Sequence, residues 1–108
     1  MDFVTKKNGK FNLISITNNI LDKNLVEQIY NKFKKTDFAI NCENVESFKD
    51  YSTVNLIYSL NIPLIIGAPH LISQASILGQ DKFPKIYIND SDFANNKRML
   101  VKRRFKVV

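Results

Sequence analysis

One cysteine, one histidine and three isolated glycines are what this chain has least of, and each scarcity removes a class of function. Cys42 has no second cysteine to pair with, and with His70 as the lone histidine there is no Cys/His cluster of the kind that holds zinc. The scattered glycines supply no Gly-rich loop for cradling a phosphate. No apolar run approaches the roughly 20 residues that span a bilayer. The start, Met1-Asp2-Phe3-Val4-Thr5-Lys6-Lys7, lacks the basic flank followed by an apolar core that marks a signal peptide. The expectation is a cytoplasmic protein with no membrane span, no metal and no cofactor.

What the chain does contain fits a single domain, residues 1–108. At 108 residues and 12.5 kDa it can build its own core, and 44% hydrophobic with 24% charged residues is ordinary globular composition. Net charge is +6. The segment from Asp90 to Val108 holds six Lys/Arg against two Asp, so the basic excess is concentrated there.

Hydrophobic periodicity alternates between strand and helix with short connections. Phe3 to Thr5 and Phe11 to Ile16 read as two strands joined by Lys7-Asn8-Gly9-Lys10, where Asn-Gly signals a tight hairpin turn. From Asp22, a good N-cap, Leu25, Val26, Ile29, Tyr30 and Phe33 recur at helical spacing up to Lys34. Thr36 to Ile40 is the next strand. A helix from Ser52 to Leu60 places Val54, Ile57 and Tyr58 inward and stops at Asn61-Ile62-Pro63. Leu64-Ile65-Ile66 reads as a buried central strand running into Gly67-Ala68-Pro69. A further helix from His70 to Leu78 stops at Gly79, Lys85 to Ile88 forms the last strand, and Asp90-Ser91-Asp92 caps a final helix carrying Phe93, Ala94, Leu100, Val101 and Phe105. The pattern predicts an α/β domain whose mixed, mostly parallel sheet has four or five strands with helices between them.

Three segments carry a family resemblance: the strand, acidic-hydroxyl turn and helix from Phe38 to Leu60, the strand and proline-bearing loop from Leu64 to Pro69, and the run Leu78-Gly79-Gln80-Asp81-Lys82-Phe83. Together with the element order, which covers nearly the whole chain, they resemble the STAS family, the domain shared by sulfate transporters and bacterial anti-sigma factor antagonists. The regulatory members carry Asp-Ser-Ser/Thr-Gly at the turn, with the first Ser phosphorylated by a partner kinase. In this chain Asp50 matches the Asp, Tyr51 stands at the phosphoacceptor position, Ser52 matches the second Ser and Thr53 replaces the Gly. The resemblance implies a non-enzymatic signalling domain that docks an anti-sigma factor or kinase-like partner through Asp50 to Tyr58, with phosphorylation shifted to Ser52 or replaced by contact through Tyr51. It leaves open an accessory role on a membrane transporter ATPase, for lipid or solute transport.

The residues also have their own reading. Asp50, Tyr51, Ser52 and Thr53 fall where a helix begins, and free N–H groups there favour a phosphate; the plainer role of Asp50 or Ser52 is an N-cap. Asn44 precedes this turn in the break Asn41-Cys42-Glu43-Asn44. Pro69 and His70 follow a strand's carboxyl end, where open α/β sheets bind ligands, yet a single His without a nucleophile at motif spacing is more often a helix-start residue. Cys42 reads as a small hydrophobe. In the tail, Lys97, Arg98, Lys102, Arg103, Arg104 and Lys106 are interrupted by residues that a core needs, so Arg103 and Arg104 are secondary contacts. Clustered cations there attract nucleic acid or acidic membrane, but aromatic interleaving for base stacking is nearly absent, which disfavours a nucleic-acid module using the tail.

Overall fold

A computed structural model describes residues 2–78 and 85–97. The chain opens with strands β1 (Phe3–Asn8) and β2 (Phe11–Ile16), joined by Gly9-Lys10 with Gly9 at φ 65, a left-handed conformation that glycine adopts without a Cβ clash. A two-residue strand β3 (Ile20–Leu21) leads into helix α1 (Lys23–Phe33). As its sequence predicts, Asp22 is the N-cap: its Oδ1 accepts from the Leu25 N–H at 2.9 Å, and Leu25, Val26, Ile29 and Phe33 are buried.

Strand β4 (Asp37–Asn41), the short β5 (Ser47–Phe48) and helix α2 (Tyr51–Ser59) follow. Helix α2 ends where Asn61-Ile62-Pro63 predicts. Asn61 takes φ 56, the Ile62 N–H donates to the Ile57 carbonyl at 3.0 Å and the Asn61 N–H to the Tyr58 carbonyl at 3.1 Å, the paired closing bonds of a left-handed helix end. Then come β6 (Leu64–Ile65), α3 (Pro69–Leu78), β7 (Ile86–Tyr87) and α4 (Asp90–Ala94).

The five-stranded sheet has the order β1-β2-β4-β6-β7. Three of its four pairings are parallel, with five residue pairs between β2 and β4 and two each between β4 and β6 and between β6 and β7, while the antiparallel β1–β2 ladder runs to six. The sheet is mixed, a correction to the mostly parallel one expected: its longest ladder is the antiparallel hairpin, which closes locally and extends further than any crossover-linked pair.

Alternation along the strands divides the core in two. Ile14, Ile16, Phe38, Ile40, Leu64, Ile66 and Ile86 face one side, where they pack with α1, α2 and α3. Phe11, Leu13, Ala39, Ile65 and Tyr87 face the other, where Phe93 of α4 stands edge-on to Phe11 and Tyr87, with ring centroids 4.6 and 5.2 Å away. Leu64, Ile65 and Ile66 are all buried, as a central strand between covered faces requires.

The last helix differs from its expectation. Its N-cap is Asn89, whose Oδ1 accepts from the Asp92 N–H at 2.8 Å, and not the Asp90-Ser91-Asp92 run. The helix ends at Ala94, since Asn96 turns left-handed at φ 56. Gly79 and Leu100 to Phe105 lie outside the described residues.

Leu64→Ala should lower the stability measured by urea denaturation by about 2–5 kcal/mol, because its neighbours on both flanking strands hold the cavity open. Ile77→Ala on the exposed side of α3 should stay within about 0.5 kcal/mol. A Leu64→Ala cost as small as that of Ile77→Ala would contradict this account of the core.

Candidate functional site

The approach to α2 is an irregular segment, 42–50, that would need hydrogen-bond partners wherever it is covered. It finds them in a second sheet of two strands that the hydrophobic pattern does not reveal. Strand β5 pairs in parallel with β3, Ile20 opposite Ser47 and Leu21 opposite Phe48. The Asn19 carbonyl accepts from the Glu46 N–H at 2.7 Å, and the Leu21 carbonyl from the Lys49 N–H at 2.9 Å.

The other edge of β5 is closed by a side chain. Gln74 on α3 accepts from the Phe48 N–H through Oε1 at 3.0 Å and donates from Nε2 to the Phe48 carbonyl at 3.3 Å, so its amide stands in for a third strand. Val45 and Phe48 are buried beneath. Sequence reasoning missed Gln74. The signal was a polar residue three positions after buried Leu71 and one before buried Ala75, close to the core-facing stripe of a helix.

This strut delivers Asp50 to the start of α2. One carboxylate oxygen of Asp50 accepts from both the Thr53 N–H and the Thr53 hydroxyl, each at 2.9 Å. These two bonds, backbone first, hold the Asp50 carboxyl below its ordinary pKa, and Lys49 and Lys23 assist from a distance. Asp50 is therefore an N-cap.

The structure separates the other candidates. Tyr51 is 46% exposed and Ser52 is exposed on the first turn, but Thr53 is completely buried, its hydroxyl turned to Asp50. Thr53 is thus removed from the expected contact face: its small polar side chain completes the cap. Tyr58, at the far end of the expected docking segment, is also buried, donating its hydroxyl to the Ala75 carbonyl at 2.7 Å. Asn44 is exposed on the segment before β5.

Pro69 and His70 open α3 on the same side, both exposed. The His70 Nε2 lies 3.1 Å from the Glu46 carbonyl, an acceptor only, so this nitrogen carries the proton and ties α3 to the strut. That is an anchoring role. Arg103 and Arg104 lie outside the described residues. Cys42 is buried, its thiol pushed up to about 12 by desolvation. Among the described residues no His, Cys, Asp and Glu side chains gather in a group of three that could hold a metal ion, and no helix is long and apolar enough to cross a membrane.

Comparison with protein-family models, curated proteins and solved structures finds no match to this chain.

Two outcomes follow from the site's chemistry. The Asp50 pKa is depressed on folding, so its contribution to stability is present above the unfolded value of about 3.9 and is lost as pH falls through the folded value. Asp50→Ala should melt below wild type at neutral pH, and the gap should close as the pH is lowered past about 4; a gap independent of pH would contradict the carboxylate cap. Cys42 should stay inert to a thiol reagent in the folded protein at neutral pH and react at full rate in denaturant. Rapid labelling of the native protein would show that the thiol is neither buried nor protonated.

Proposed function

We propose that this is a STAS-like, non-enzymatic signalling domain that docks a regulatory protein through the first turn of α2, with Tyr51 as the central contact. The observation that carries the reading is the combination at that turn. An aromatic side chain, 46% exposed, projects from a backbone fixed by the Asp50 cap, the β3–β5 ladder and the Gln74 amide. Rigid aromatic residues lose little freedom on association and are enriched among the contacts that dominate binding energy. Ser52 stands beside Tyr51, and the exposed Glu46 and Asp50 give the turn an acidic rim.

The element order and the turn Asp50-Tyr51-Ser52-Thr53 support the resemblance to anti-sigma factor antagonists. On this reading a kinase-type anti-sigma factor is the partner, and phosphorylation of Ser52 is the switch. A phosphate there adds nearly two negative charges next to the ionised Asp50 carboxylate without entering the core, so the fold persists while the docking surface changes.

The test begins with a pulldown from the native cell, the partner being identified by mass spectrometry, and proceeds to titration of that purified partner. Tyr51→Ala and Ser52→Asp should each weaken binding at least tenfold, or about 1.4 kcal/mol, with circular dichroism unchanged. Unchanged affinity in both folded variants would reduce this turn to a helix cap and place the binding surface elsewhere.

A further inference from the structure

The proposed docking turn lies at the carboxyl ends of the parallel strands, and the opposite end of the sheet has a different character. Strand β1 runs antiparallel, so its last residues join the amino ends of β2, β4, β6 and β7. Lysines collect there from several connections. Lys7 is in register with Asn12, Lys10 immediately precedes β2, and Lys34 and Lys35 follow α1 just ahead of β4. The Lys85 carbonyl accepts from the Leu64 N–H at 2.8 Å at the start of β6, and Lys97 follows α4.

Between them lies an open concavity of about 500 Å³. Lys10, Thr36, Asp37, Asn61 and Asn96 contribute its polar lining, and Phe11 and Phe93 are among its apolar walls. Asp37 brings acceptors, and Asn61 brings an amide with both kinds of group. Asn96 accepts from the Tyr87 hydroxyl at 3.4 Å through Oδ1 and keeps its NH₂ for donation. Mixed donors and acceptors between apolar walls suit the edge and faces of a nucleobase, while lysines suit phosphates.

Two contrasts favour this ligand over an acidic bilayer. A helix or patch that binds a lipid surface needs apolar side chains to insert beside its cations. Of the large apolar residues exposed among the described residues, Val4, Ile20, Tyr51 and Ile88 lie toward the carboxyl ends, and Ile77, near the end of α3, is the exception. The carboxyl ends also carry Asp2, Asp22, Glu43, Glu46, Asp50 and Asp90 against Lys23 and Lys49, so carboxylates predominate there, whereas at the amino ends lysines outnumber Asp37.

We propose that the amino end of the sheet is a binding surface for single-stranded nucleic acid, with phosphates on Lys10, Lys34 and Lys35 and one unstacked base in the concavity. The surface is independent of the Tyr51 turn. Arg103 and Arg104 are not among the residues assigned to it.

The experiment is fluorescence anisotropy of the full chain with a labelled thymidine oligonucleotide about 12 residues long, across a salt series. Each phosphate contact contributes about 0.7 to the slope of log affinity against log salt. The Lys10→Gln, Lys34→Gln, Lys35→Gln triple variant should bind at least tenfold more weakly at low salt, with a slope shallower by about 2. An abasic oligomer of equal length should bind at least threefold more weakly than the thymidine strand, and Arg103→Gln with Arg104→Gln should cost less than the triple change. Melting curves confirm that the variants fold. The proposal is overturned if wild type does not bind at low salt, if the triple variant binds like wild type, if the abasic strand binds equally, or if the tail variant loses more. Binding to phosphatidylserine vesicles that the oligonucleotide cannot displace would assign the surface to membrane instead and equally overturn it.

Discussion

The two hydrogen bonds between the Gln74 amide and the backbone of Phe48 are the constraint on which the candidate site rests. Without them β5 would be a two-residue strand paired on one side only, too little to hold a segment that crosses from β4 to α2. With them, that segment joins α3 and β3 at once, and the His70–Glu46 contact adds a second tie to α3. Phe48 is buried as a consequence, and two residues later Asp50 is in place to cap α2. The exposure of Tyr51 thus depends on an amide two elements away.

Most of the elements were legible because their causes are local. Asp22 and Asp50 precede their helices at capping distance, Gly9 supplies the left-handed residue of the hairpin, and Asn61-Ile62-Pro63 closes α2 through bonds to residues three and five positions back. The buried run Leu64-Ile65-Ile66 also announced itself, since a strand covered on both faces shows no polar alternation. The β3–β5 ladder did not, because Ile20-Leu21 and Ser47-Phe48 are each too short for periodicity to register and meet across 26 residues or more of intervening chain. The burial of Thr53 was hidden for a related reason: a hydroxyl reads as a surface group until its partner, here the Asp50 carboxylate, is in view. The final helix was drawn too long because Asn95-Asn96 carries no proline or glycine to mark the stop that the positive φ of Asn96 makes.

Charge and exposed apolar surface are distributed along the strand direction and not around the molecule. The carboxyl ends combine carboxylates with exposed Tyr51, Ile20 and Val4, the mixture found where one folded protein meets another. The amino ends combine lysines with a polar concavity. A net charge of +6 therefore conceals an end where carboxylates predominate, and the composition alone would direct attention away from the proposed docking turn.

Hydrogen–deuterium exchange of the domain alone and bound to its purified protein partner tests the docking claim most directly, because it reads every backbone amide without altering a side chain. The account predicts added protection confined to the strut and first turn of α2, from Glu46 to Asn55, with the β1–β2 turn and the Lys34-Lys35 connection unchanged. Protection of those lysine-bearing segments with none at Tyr51 and Ser52 would contradict it.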